Sequence, residues 1–232
     1  MAQNEITIIY SINSPNLKLF GHNFVQENQK NCTIVVDDQV QPLTENINIG
    51  DRTGRFTIKL RGINSVINMG YLFEDCPSLI ILPDIEGWDT SKIYSMRYIF
   101  SGCSSLMILD GISQWKTDKV VDMSHMFDGC TSLAHLPDIS VWKTNMVFDM
   151  SYMFNNCPSL LKLPDIPKWK TNSVMKMNNM FSKCSSLIKV PEITKWNILN
   201  VVDISKMFDE CNSLIHVPKF VMNNLINLMG MP

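Results

Sequence analysis

The sequence predicts an α/β repeat solenoid, with one short parallel strand and one short helix in each 27-residue unit and a β-rich cap at the N-terminus. Three observations predict it. Cys76, Cys103, Cys130, Cys157, Cys184 and Cys211 stand 27 residues apart. Aligned on those cysteines, apolar residues fall into further columns with the same period. The first 62 residues do not repeat and carry short β-branched runs. Self-similarity at a fixed period of this length is the mark of a repeat array, in which each unit buries its apolar face only against its neighbours.

The non-repeating region, residues 1–62, reads as a β-rich N-terminal capping region. ITIIYSI, LKLF, CTIVVDD and RFTIKLRGI are rich in β-branched residues and read as strands, with a helical turn between Phe24 and Gln29. An array needs a cover over its first exposed core layer. The same segment is also compatible with a ligand-binding domain of its own.

Residues 63–219 hold six units. Three residues before each Cys stands Phe (Phe73, Phe100, Phe127, Phe154, Phe181, Phe208), and a Met column leads it by four (Met69, Met96, Met123, Met150, Met177, then Ile204). Leu follows each Cys by three, a second Leu or Val by six, and Trp closes the first five units at Trp88, Trp115, Trp142, Trp169 and Trp196. Within one unit Met123, Met126, Phe127, Cys130 and Leu133 have the spacing of one face of a short helix. Ser124, Ser151 and Ser205 are placed to cap its start, and Gly102 and Gly129 to end it. The segment Val120–Met123 is the expected parallel strand; L-P-D-I is read as extended or turn-like, because a proline in the ladder removes a donor. Residues 220–232 are either a C-terminal cap, with Val221, Leu225 and Leu228 on one helical face, or a truncated unit.

The spacing F-x-x-C-x-x-L-x-x-L-P resembles the BspA-like (Treponema pallidum-type) leucine-rich repeats. The longer form, with M-F-x-x-C and P-D-I-x-x-W-x-T, resembles the Mycoplasma-type surface-lipoprotein 26-residue repeat family of bacteria and protists. The resemblance covers Ile63 to Pro218. It implies a leucine-rich-repeat-like right-handed coil, a place on the cell surface and an adhesive role. The Asn ladder of leucine-rich repeats is missing, and the Ser column from Ser78 to Ser213 is the candidate to replace it.

Composition narrows the functional classes. A net charge of -2 lacks the basic excess of a nucleic-acid binder. No apolar run is long enough to span a membrane, and no export signal is visible. Evenly spaced cysteines on a buried face read as reduced thiols, and these point to the cytoplasm. The cysteines form no C-x-x-C pairs, histidine occurs at only four positions, and the Asp column (Asp84, Asp138, Asp165) supplies one carboxylate per unit, so no metal and no cofactor is expected. No nucleotide-binding or hydrolase motif is found, and a repeat spreads identical residues along a line instead of converging different ones. The chain is read as not an enzyme.

The core columns answer to packing, so a binding site is sought in the others. Tyr71, Tyr98, His125 and Tyr152 form one column, placed on the helical segment off its apolar face. Tyr and His carry an apolar body and a polar tip and suit contact surfaces. A charge gradient is the second pattern. Residues 63–100 carry Glu74, Asp75, Asp84, Glu86 and Asp89 against Lys92 and Arg97, whereas residues 162–195 carry seven lysines, among them Lys162, Lys170 and Lys189, against Asp165 and Glu192. The expected function is a non-catalytic protein-binding or scaffolding repeat protein with a protein partner. The alternatives are a structural subunit that self-associates head to tail, and an adhesin that binds a host or matrix ligand.

Overall fold

A computed structural model describes residues 4–216. Strands β1 (Glu5–Ile12) and β6 (Gly54–Arg61) pair antiparallel along their whole length, from Glu5 opposite Arg61 to Ile12 opposite Gly54. Alternation turns Ile6, Ile8, Tyr10, Phe56, Ile58 and Leu60 into the core. On the outer face Glu5 accepts hydrogen bonds from Lys59 and Arg61, both at 2.7 Å, and these hold its carboxyl below the usual carboxylate range. Between β1 and β6 lie β2 (Asn16–Lys18), α1 (His22–Asn28), β3 (Thr33–Val36), β4 (Gln39–Pro42) and β5 (Asn46–Asn48). Asp37 and Asp38 join β3 to β4 with positive φ at both residues, the geometry of the tightest hairpin turn.

The sheet has the order β4-β3-β6-β1-β7, and β7 (Leu79–Ile81) belongs to the first 27-residue unit. The N-terminal region and the first unit therefore share one sheet. Thr7 N and Oγ1 donate to the Asp84 carboxylate at 2.7 and 2.8 Å, Ser11 N donates to Ser78 O at 2.8 Å, and Phe20 stacks on Phe73 at 5.9 Å. Gly21 sits so close to this unit that a Cβ would lie 2.0 Å from Tyr71 O.

Within the units the backbone does not follow the expected path. The one α-helix among the described residues is α1, and the named strands form antiparallel sheets. The expected α/β solenoid, a leucine-rich-repeat-like coil with a helix and a parallel strand in each unit, is thus not the fold observed. From Met69 to Cys76 the chain makes successive tight turns, with Leu72 N bonded to Met69 O and Cys76 N to Phe73 O. Two residues per unit hold positive φ. One column is Tyr71, Tyr98, His125, Tyr152, Asn179 and Lys206; the other is Asp75, Gly102, Gly129, Asn156, Lys183 and Glu210. Two left-handed residues four positions apart stop a right-handed helix.

The amides explain why. Alternate N–H groups reach forward to the next unit, as in Met96 to Asp122 O, Tyr98 to Ser124 O, Phe100 to Met126 O and Gly102 to Asp128 O, at 2.7–3.0 Å. A donor committed to a residue 26 positions ahead is lost to an i−4 helical bond. The strand expected at Val120–Met123 is a single-residue parallel bridge, Asp122 between Ser95 and Asp149. The serines expected as helix caps belong to Asx turns, Ser124 N and Oγ donating to Asp122 Oδ1 at 2.9 and 2.6 Å. At the L-P-D position, which reads Leu109-Asp110 in the second unit and Val190-Pro191-Glu192 in the fifth, each of five units enters a short 3₁₀ turn, at Ile85–Gly87, Asp110–Gln114, Ile139–Val141, Ile166–Lys168 and Ile193–Lys195. The expected C-terminal segment 220–232 lies outside the described residues.

The units stack in register through their side chains. Phe73, Phe100, Phe127, Phe154, Phe181 and Phe208 stack at 5.4–5.8 Å between neighbouring rings, and Trp115, Trp142, Trp169 and Trp196 at 6.3–6.4 Å. Each of these Trp Nε1 atoms donates to a carbonyl 30 residues earlier, Trp142 to Ile112 O at 3.0 Å; the first of the column, Trp88, has no such bond and its buried Nε1 is unpaired among the described residues. The cysteine thiols do likewise, Cys130 Sγ to Phe100 O at 3.1 Å. The ladder expected of the Ser column is made by Thr90, Thr117, Thr144 and Thr171, all buried. Thr117 Oγ1 donates to Lys143 O at 3.0 Å and accepts from Lys143 N at 2.7 Å.

Candidate functional site

The column Tyr71, Tyr98, His125 and Tyr152 is a consequence of the left-handed turns. At positive φ the side chain is thrown outward, away from the Met and Phe columns on either side, and the forward amide bonds of Tyr71, Tyr98, His125 and Tyr152 keep successive units in register. The residues sit on turns, not on a helix as the spacing suggested. Three tyrosines in this conformation store strain of order 1–2 kcal/mol each. Ring stacking offsets it: Tyr71 lies on Tyr98 at 5.0 Å, Tyr98 on His125 at 4.2 Å and His125 on Tyr152 at 4.4 Å, with interplanar angles of 8–11°.

Charged groups flank this stack at one end and along its length. The Arg97 guanidinium lies over the Tyr71 ring, 4.8 Å from its centroid. His125 Nδ1 is 2.8 Å from Asp128 Oδ2, and Asn155 Nδ2 donates to Asp128 Oδ1 at 2.7 Å, so a carboxylate fixed from two sides orients the imidazole. Partial burial raises the Tyr98 hydroxyl above its usual range, aided by the neighbouring Tyr71, Asp128 and Glu74 and opposed by Arg97. Burial, then Asp75, raises the Glu74 carboxyl. The result is a half-buried aromatic ridge four rings long. It offers flat apolar area with hydrogen-bonding edges, which is what contact surfaces use.

The three expected lysines are not brought together. Lys162 and Lys189 are neighbours across a parallel bridge. Lys170 belongs to another column, with Lys116 and Lys143, and its carbonyl accepts from Thr144 Oγ1 at 2.9 Å. All seven cysteines are free, six of them buried, and burial raises their thiols, Cys32 and Cys211 to about 11 and Cys184 to about 12. Among the described residues no cluster of His, Cys, Asp and Glu is suited to a metal, and no helix is long and apolar enough to cross a membrane.

Two exposed apolar columns escaped the sequence reading. One is Ile67, Tyr94, Phe148, Met175 and Val202, each 41–59% exposed. The other is Met107, Leu161, Ile188 and Ile215, each 44–66% exposed. Their signal was present as a 27-residue period of large apolar residues beside the core columns, but exposure follows from which way each residue leaves the turn, and periodicity alone does not report that.

A family model described as Mycoplasma protein of unknown function, DUF285, matches residues 67–163 and 133–231. It agrees with the Mycoplasma-type half of the resemblance and does not confirm the BspA-like half. No curated protein and no solved structure matches the chain.

Proposed function

The chain belongs to the family described as Mycoplasma protein of unknown function, DUF285, and on that premise we propose that it is a non-catalytic protein that binds or scaffolds another protein through the Tyr71–Tyr98–His125–Tyr152 ridge. The observation that carries the reading is the ridge's cost. Bulky residues held at positive φ are energetically unfavourable, yet four successive units place a ring there, while Asn179 and Lys206 fill the same position in the last two. Rings stacked in a row on a rigid backbone lose little entropy on binding. The free, buried cysteines support a reducing compartment and, with it, the cytoplasm.

The test is affinity capture from the source organism with the wild-type chain and with a Tyr71→Asn, Tyr98→Asn, Tyr152→Asn variant. Asparagine tolerates the left-handed conformation and already occupies it at Asn179, so the variant keeps the backbone. A partner recovered by the wild type and lost by the variant is expected. Equal recovery by both would show that the ridge is not the contact.

A further inference from the structure

We propose that the segment the aromatic ridge takes is basic: a stretch of partner chain whose lysine or arginine side chains reach the Glu74 and Asp75 carboxylates while a hydrogen-bond donor meets His125 Nε2. This rests on the reading of Tyr71, Tyr98, His125 and Tyr152 as the contact, and adds the chemistry of what they contact.

One flank of the ridge is acidic. The His125–Asp128 contact at 2.8 Å puts the residue three positions after a ring beside that ring. In the four units that carry a ring, the third and fourth positions after it read Glu74-Asp75, Ser101-Gly102, Asp128-Gly129 and Asn155-Asn156. They hold carboxylates and no cation. Asp128 is already engaged by His125 and Asn155. Glu74 and Asp75 make no ion pair, and their carboxylates no hydrogen bond, among the described residues. Lys18 and Arg97 are near enough to draw on Glu74 without pairing with it, and the Arg97 guanidinium lies over the Tyr71 ring instead. The flank also has room. A Cβ at Gly102 would lie 2.6 Å from Asp75 Oδ1, so the Asp75 carboxylate leans into the space of the missing side chain, and a Cβ at Gly129 would meet nothing nearer than 3.5 Å.

The imidazole adds a third acceptor. Tyr98 and Tyr152 cover its two faces and Asp128 holds Nδ1, so the edge behind the 20% exposure of the His125 side chain is the one that carries Nε2. A carboxylate only accepts, so Nδ1 carries the proton, and in the neutral ring Nε2 accepts. It makes no hydrogen bond among the described residues. Glu74, Asp75 and His125 Nε2 therefore all ask for donors. Lysine and arginine heads only donate, and their apolar stems can lie along ring edges. A partner without a cation would cover two neighbouring carboxylates unpaired, which is unfavourable. The spacing suits one segment: the rings step 5.0 and 4.2 Å from Tyr71 to His125, a span that about three residues of extended chain cover at ~3.3 Å each.

Fluorescence anisotropy of the full chain with three labelled peptides of about twelve residues, at about 150 mM salt, tests the proposal. One peptide alternates arginine with serine, one glutamine with serine and one glutamate with serine. The arginine peptide is expected to bind at least about tenfold more tightly than the glutamine peptide, and the glutamate peptide most weakly. Glu74→Gln/Asp75→Asn should weaken the arginine peptide at least about fivefold and leave the glutamine peptide unchanged. Both changes keep the side-chain shape, and asparagine already holds the Asp75 position at positive φ in Asn156, so the fold is retained. An arginine peptide no tighter than the glutamine peptide overturns the proposal, and so does a double variant that binds it as well as the wild type. The Tyr71→Asn, Tyr98→Asn, Tyr152→Asn variant tells two failures apart. Arginine-peptide binding that falls with the tyrosines but ignores Glu74→Gln/Asp75→Asn removes the basic partner and leaves the ridge as the contact. Binding that falls with the double variant but ignores the tyrosines removes the ridge reading and this inference with it.

Discussion

Replacing Thr117 by Val tests whether the buried threonine ladder stabilises the stack by hydrogen bonding or by filling space. Thr117 is 1% exposed. Its hydroxyl accepts from Lys143 N at 2.7 Å and donates to Lys143 O at 3.0 Å. Valine keeps the shape and removes both bonds, leaving the Lys143 N–H without a partner in a largely closed environment. An orphaned backbone donor costs about 1–3 kcal/mol, and the weakened carbonyl adds to it. A net loss of about 2 kcal/mol is expected. Thr117→Ser keeps both bonds and loses one methyl group, worth about 0.8 kcal/mol. The two substitutions therefore rank in opposite order under the two explanations: hydrogen bonding makes Val the worse replacement, and packing makes Ser the worse. Urea denaturation, with the midpoint shift read at unchanged slope, measures the difference. A Thr117→Val chain as stable as Thr117→Ser would refute the ladder's role.

Further outcomes follow from the same geometry. Lys183→Gly, at φ 62° in the column that Gly102 and Gly129 also occupy, should stabilise the chain by about 0.5–1 kcal/mol in thermal unfolding, because glycine carries no Cβ to clash there. Gly21→Ala should destabilise by at least about 2 kcal/mol and loosen the N-terminal strands from the first unit, read as faster amide exchange in β1 and β7, since the added Cβ would lie 2.0 Å from Tyr71 O. The buried thiols should make stability fall in alkali. A thiol whose folded pKa is raised stabilises the fold fully below the ordinary value of 9.0, and that contribution is lost as pH climbs towards the folded value, about 12 for Cys184. Cys184→Ala should accordingly flatten the decline of the urea midpoint between pH 9 and 11; an unchanged slope would remove the thiol as its cause.

Much of the architecture was legible column by column. The Met, Phe, Cys, Leu and Trp columns read as core are buried, as Met123, Phe127, Cys130, Leu133 and Trp142 show within a single unit. The four-residue aromatic column was legible too, because Tyr71, Tyr98, His125 and Tyr152 share one position in the period. What misled was the spacing of Met123, Met126, Phe127, Cys130 and Leu133. A 3.6-residue period states which side chains face inward; it does not state where the amides go. Here tight turns, with two left-handed residues four positions apart in each unit, bring the same side chains inward, and alternate amides serve the next unit.

The sequence by itself thus determined the repeat, its period, and the membership of the core, since each of these follows from local composition and register. The tertiary structure alone decided the backbone path, because the donors of Tyr98 and Phe100 find their acceptors 26 residues ahead, in a unit whose position no local pattern specifies. It decided equally that Lys162 and Lys189 share one face while Lys170 does not, and that the columns through Ile67 and Met107 stand exposed. Those are properties of neighbours brought together by stacking.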